Sequence, residues 1–315
     1  PPPRGVYNAR MTKLAATIEG SPDADVTCRA VKALDLGFHG LGLEPPLYAS
    51  QWEKLRETLP RESVLSVQVF LPYPRGVRPG DPSPFVLGSL HPEERRDALK
   101  FGEETIIFAD RNSIPFVRIP PIVLEGLAGS GPGRAPRGMS RESPRLAQLA
   151  ARRQLEAVPR LDSLRSLLYR LLEAADRRGI SIALTPGGFI DELPGFEEAA
   201  VLFRELEGAP LRVWPDTLRA AAALEARPGV PPWDLCGGKM AGLTVRGFDS
   251  RGEPLPLGGG CLDPDALKPI LEGAPIWLAD PGPVESGDGL EESLRFLRTL
   301  ESRPENEKRT GILFP

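Results

Sequence analysis

Eight short apolar runs punctuate the 315-residue chain, and helical periodicity fills most of the intervals between them. The runs are Lys13–Glu19, Gly40–Glu44, Val64–Leu71, Pro115–Ile119, Ser181–Leu184, Leu211–Trp214, Ala241–Val245 and Ile276–Ala279. Most are unbroken rather than alternating, as strands buried on both faces are. Helices are predicted over Asp23–Leu36, Ala49–Leu59, His91 to about Asp110, Arg145–Ala157, Leu161–Arg178, Gly195–Glu207 and Leu290–Leu300. Gly37 and Gly179 close two of them, and His91-Pro92 with following acids opens another. Alternation of this kind places parallel strands under a coat of helices. Eight units close into a single (β/α)8 barrel spanning 1–315, with a 1–12 extension, a flexible loop at 126–138 and a 303–315 tail. Fewer true strands would leave an open doubly wound sheet. The absence of GxGxxG or GxxxxGK[ST] after any strand speaks against that form.

Composition excludes several classes of partner. A hydrophobic fraction of 41% supports a globular core, and a net charge of −4 offers no basic surface for nucleic acid. No run approaches the ~18 apolar residues of a membrane span, and no signal-peptide core follows Pro1. Cys28, Cys236 and Cys261 stand far apart, with no CxxC pair, which predicts a reducing, cytoplasmic setting.

The order of segments resembles the xylose isomerase-like barrels. "ALDLGFHGLGLE" resembles their first helix and second strand, and "HPEERRDALKFGEETIIFADRNSIPFVRIPP" their third helix and fourth strand. "LLEAADRRGISIALTP", "LRVWPDT", "GGGCLDPDALKPIL" and "IWLADP" resemble the later units in order. The resemblance covers nearly the whole chain and points to the sugar phosphate isomerase/epimerase group, which includes endonuclease IV-like barrels. It implies a divalent metal held by Glu, Asp, His and Glu at the ends of strands five to eight. Carried over by position, those ligands fall on Thr185, Asp216, Thr244 and Asp280. Two are neutral hydroxyls, poor partners for a hard cation, and Asp280 is one methylene shorter than Glu. The resemblance therefore implies an eroded metal site, with no cofactor expected beyond weak Mn or Mg binding. Arg219 stands where the family often has a further histidine and could take the cation's place. The two histidines, His39 and His91, both lie away from strand tips and read as solvent-facing.

What remains for chemistry is a set of carboxylates and arginines. Glu44, Asp216 and Asp280 are the candidate catalytic acids and bases. Each has a plain structural reading too: a loop brace, a helix N-cap and an Asp-Pro-Gly turn, respectively. Arg118, Arg219 and Arg246 are candidates to hold an anionic group, with Trp214 as a pocket floor and Arg134 and Arg137 on the long loop. Against this stands a filled mouth, in which Arg118 and Arg246 pair with Asp216 and Asp280. The sequence thus predicts a barrel of sugar phosphate isomerase/epimerase kind that acts on or binds a small polyhydroxylated or anionic ligand. If an enzyme, it is an isomerase, epimerase or lyase with little metal dependence. The alternative is a non-catalytic barrel binding a ligand or protein. A homodimer is left open.

Overall fold

In the computed structural model the described residues are 12–19, 25–72, 87–124, 144–226, 234, 239–249, 254–258, 260, 262, 271, 273–281 and 289–301. The loop at 126–138 with Arg134 and Arg137, the 303–315 tail, Cys236 and Cys261 lie outside them.

The strands are β1 (Lys13–Glu19), β2 (Gly40–Glu44), β3 (Val64–Gln68), β4 (Phe116–Ile119), β5 (Ile122–Val123), β6 (Ser181–Leu184), β7 (Glu192–Leu193), β8 (Leu211–Val213), β9 (Leu243–Phe248), β10 (Pro254–Leu255) and β11 (Ile276–Asp280). The helices are α1 (Val26–Leu36), α2 (Ala49–Thr58), α3 (Pro92–Arg111), α4 (Pro144–Asp176), α5 (Phe196–Glu205), α6 (Thr217–Ala226) and α7 (Gly289–Glu301). Eight strands run parallel in the order β9-β11-β1-β2-β3-β4-β6-β8, with β10 antiparallel on β9. The ends meet. Parallel bridges join Val213 to Met240 and Asp216 to Thr244, and the Ala241 and Thr244 amides donate to the Val213 and Pro215 carbonyls at 2.9 Å. The circuit is a closed (β/α)8 barrel.

Alternation along β1 shows how the pattern works. Leu14, Ala16 and Ile18 face the helices, in the large core between strands and coat. Ala15 faces the lumen with Leu65, Phe116, Ala183, Trp214, Ala241, Ile276 and Leu278. Trp214 is wholly buried there, edge-on to Phe116 at 5.9 Å, and its indole N–H donates to Thr244 Oγ1 at 3.1 Å. A Cβ at Gly242 would lie 2.5–2.7 Å from the Trp214 ring, so only glycine leaves room for it.

Capping follows the sequence signals. Asp25 accepts from the Cys28 amide at 3.0 Å to start α1, and Gly37 ends it in the left-handed region at φ 105°. One prediction needs correction. The two helices expected over Arg145–Ala157 and Leu161–Arg178 are the single helix α4, with Pro159 inside it. Proline costs a helix interior about 3 kcal/mol. Here Ala157 before it and Leu164, Leu168, Leu171 and Leu172 after it are buried, and that packing carries the helix through.

Overpacking costs about 1–3 kcal/mol, so Gly242→Ala should lower the urea midpoint accordingly. Adding Trp214→Phe should cost less than the two single changes summed, because the smaller ring vacates the clash. Additive losses would show that the Gly242–Trp214 contact is not what fixes the lumen.

Candidate functional site at the barrel mouth

The C-terminal tips carry one polar residue from each strand. Glu19 ends β1 and stands in register with Glu44 of β2; Gln68 of β3 pairs with Arg118 of β4. Thr185 follows β6, Asp216 follows β8, and Arg246 of β9 is in register with Asp280 of β11. Strand β9 begins and ends later than Ala241–Val245, the span predicted for it. Above Gly242, two side chains of "GLTVRG" therefore face the lumen, Thr244 below and Arg246 above.

Arg246 is the centre of the arrangement. Its Nη2 lies 2.5 Å from Asp280 Oδ2 and its Nε 3.7 Å from Asp216 Oδ2. Asp216 holds the guanidinium firmly in its charged form, with Asp280 and Glu44 adding to this against the opposing effect of burial. The Arg246 backbone is fixed as well. Its N–H donates to Thr217 Oγ1 at 2.9 Å, and the Thr217 hydroxyl donates to its carbonyl at 3.0 Å.

Asp216 does two jobs at once. Oδ1 accepts from the Leu218 amide at 2.9 Å and the Arg219 amide at 3.3 Å, capping α6. Oδ2 faces Arg219 Nη1 at 3.3 Å beside Arg246. Arg219 in turn donates through Nε to Glu192 Oε1 at 2.9 Å. Glu192 belongs to a two-stranded ribbon, β5 with β7, that ties the loop after β4 to the loop after β6. Its Oε2 accepts from the Gly188 amide at 2.9 Å. A Cβ at Gly188 would run into the Arg219 backbone, which explains the Gly187-Gly188 pair after Thr185-Pro186.

Arg118 goes elsewhere. It is buried, donates to Glu44 Oε1 at 2.9 Å and the Leu43 carbonyl at 3.3 Å, and stacks 5.5 Å above the Trp214 ring. Of the pairing considered from the sequence, Arg246 thus takes both aspartates, while Arg118 takes Glu44. Beyond Gln68, its register neighbour, Glu44 is the next strand tip around the ring. Trp214 lies below the floor and would act on a ligand through Arg118. Thr185 is half-buried and extends β6 by donating its N–H to the Ile119 carbonyl at 2.9 Å. His39 and His91 are exposed, and His39 Nδ1 accepts from the Leu14 amide at the opposite end of the barrel.

The four positions implied for metal ligands are largely committed. Thr244 Oγ1 holds the indole N–H, Asp216 holds amides and guanidinium groups, and Asp280 holds Arg246. A dication there would sit against a guanidinium, and hard cations need several free oxygen ligands. The donor set does not fit one. Among the described residues no three His, Cys, Asp or Glu side chains are grouped to hold a metal.

Three acids here were missed in the sequence: Glu192, whose partners are given above, Glu19 and Asp191. Glu19 ends β1 as Glu44 ends β2, a signal visible in "KLAATIE". Its carboxyl is pushed up by desolvation, then by Glu44 and Asp280, with Arg29 and Arg246 opposing. Asp191, beside Glu192, is buried, and both its carboxylate oxygens lack a partner among the described residues. Desolvation, with Glu192 adding, raises it from 3.8 to about 6.

Two measurements follow. Arg246→Met removes the salt bridge to Asp280 and one of the two guanidinium groups beside Asp216, and should cost about 1.5–3 kcal/mol. Arg246→Lys, which keeps the positive charge, should lose less; an equal loss in both variants would mean that Arg246 acts by packing alone. Between pH 3.8 and about 6 folded Asp191 retains a proton that the unfolded chain has released. Stability therefore falls as pH rises through that window, by about 3 kcal/mol in all. Asp191→Asn should be more stable than the parent at pH 8 by about 2 kcal/mol and no more stable at pH 4. Equal effects at both pH values would refute the shift.

No protein-family model matches the chain, and no curated protein matches it either. Solved structures do. A 3-keto-D-glucoside 4-epimerase, YcjR, from E. coli aligns with TM-score 0.58 and 18% identity over 91% of this chain and 100% of that one. A D-psicose 3-epimerase from Clostridium cellulolyticum H10, solved with D-tagatose, gives 0.62 and 12% over 91% and 99%. A xylose isomerase-like TIM barrel protein from Mycobacterium smegmatis, in complex with magnesium, gives 0.57 and 16% over 94% and 99%. At such identities the likeness is one of architecture, and it agrees with the closed ring of strands described above: the chain has the xylose isomerase-like TIM-barrel fold.

Proposed function

We propose that this sugar isomerase/epimerase-like barrel binds a small polyhydroxylated or anionic ligand at its C-terminal mouth without a divalent metal. One observation carries the reading: the Arg246 guanidinium lies between Asp216 and Asp280, the two acidic positions among the implied metal ligands. A fixed cation on the chain itself balances the charge that a bound metal would otherwise balance. The epimerases of like fold, among them the one solved with D-tagatose, lend the ligand class its support.

If the site is catalytic, its work is isomerase, epimerase or lyase chemistry by carboxylates. Glu44 is the best placed, half-buried at the rim with one oxygen on Arg118. Asp280 is next, and Arg118 and Arg246 lie where they could oppose negative charge developing on a ligand oxygen. Asp216 is the weakest candidate, since its side chain is only 3% exposed and both oxygens are engaged. That sealing favours the second reading, a non-catalytic barrel that binds a ligand or a protein.

Thermal unfolding with Mn²⁺, Mg²⁺, Zn²⁺ and Co²⁺ tests the metal-independent reading. A ligand of the folded state adds about 2.7 kcal/mol at a hundredfold excess over Kd. The parent protein should show no such gain. A gain that disappears in Asp216→Ala would overturn the proposal and restore metal-dependent isomerisation.

A further inference from the structure

The charge of the mouth is uneven, and its β1–β3 side differs from the rest. The three rim guanidinium groups are engaged: Arg118 with Glu44, Arg219 with Glu192 and Asp216, and Arg246 with Asp216 and Asp280. Each of these charges is already balanced, so an anionic ligand would compete with a carboxylate of the chain for it. Glu19 is the opposite case. Among the described residues it makes no hydrogen bond or ion pair, yet it stands in register with Glu44 and feels Asp280 on its other side. Arg29 on α1 and Arg246 act on it from a distance, and neither forms an ion pair with it.

Below Glu19 lie buried polar atoms that lack a partner among the described residues. Thr17 Oγ1, Ser66 Oγ and Arg118 Nε are buried without partners, in residues 5%, 1% and 4% exposed. Thr17 shares the luminal face of β1 with Ala15 and Glu19. Its register partner is Gly42, two residues below Glu44, and Gly42 is in turn the partner of Ser66. Ser66 Oγ lies 3.0 Å from where a Gly42 Cβ would project, so it too faces the lumen. A buried polar group left unpaired is costly. Three on one side of the lumen mark a place where something polar completes the site.

Resting on the ligand-binding reading above, we infer that this side of the mouth is a subsite for a cationic amino-polyol, its ammonium group on Glu19 beside Glu44 and its hydroxyls on Thr17, Ser66 and Arg118 Nε. The ammonium supplies the positive charge that Glu19 lacks. A hydroxyl can accept from Arg118 Nε and exchange hydrogen bonds with both alcohol side chains, which a bare cation cannot. A phosphorylated sugar would set like charge against Glu19, Glu44 and Asp280.

Calorimetric titration of the whole protein with glucamine, glucosamine and galactosamine, beside sorbitol, glucose, galactose and glucose 6-phosphate, tests this. At least one amine should bind about tenfold or more tightly than its uncharged counterpart, as a charge-assisted hydrogen bond allows. Glu19→Gln, at an exposed and unpaired position, should erase that preference, and Thr17→Val should weaken amine and neutral compound alike. Neutral or phosphorylated sugars binding better than amines would overturn the inference and leave the mouth as a ligand site. Amine binding untouched by Glu19→Gln would do the same. No binding by any of these compounds would overturn both readings.

Discussion

The Asp216–Arg246–Asp280 bridge is the interaction around which the mouth is organised, and it exists because the barrel closes where it does. The last link of the ring, between β8 and β9, passes through the Asp216–Thr244 bridge. That link sets Asp216 next to the luminal face of β9, and the β9–β11 register sets Asp280 beside Arg246. A guanidinium in so buried a setting needs a carboxylate beside it, since a buried charge left alone is costly. Thr217 clamps the Arg246 backbone, Asp216 caps α6, and Arg219 carries the network out to Glu192 and the β5–β7 ribbon. Closure of the fold, the start of a helix and the electrostatics of the mouth are thus one connected structure.

Charge then divides the mouth in two. On the β8–β11 side, carboxylates and guanidinium groups neutralise one another. On the β1–β3 side, Glu19 is unpaired among the described residues, Glu44 is shared with Arg118, and buried hydroxyls lie below. Trp214 joins the halves from beneath, with its ring under Arg118 and its N–H on Thr244, the hydroxyl at an implied metal position.

Much of the architecture was legible in the sequence because it depends on local pattern. Strands such as Ser181–Leu184 and Gly40–Glu44 are bounded by their own composition, and Asp25, Gly37 and Pro92 mark helix ends. Asp216 read both as an N-cap and as a site residue; it caps α6, and its other oxygen faces Arg219 and Arg246. Pro159 misled because it is a strong local stop overridden by distant packing. Which residue of "GLTVRG" reaches the tip depends on where β9 begins, and that is set by pairing with β11. The partner of Arg118 was equally hidden, since its choice of Glu44 spans 74 positions. Asp191 and Glu192 stand at the start of the short strand β7, in a segment whose only local signal is the Gly187-Gly188 pair. Their roles come from Arg219, on a different unit of the barrel.

The central claim is that an arginine of the chain occupies the position implied for a metal. Crystals grown in millimolar MnCl2 and measured at the manganese absorption edge would test it directly. No anomalous peak should appear between Asp216 and Asp280, and the Arg246 guanidinium should be ordered between them. A manganese peak bound by both aspartates, with Arg246 turned out of the mouth, would contradict it.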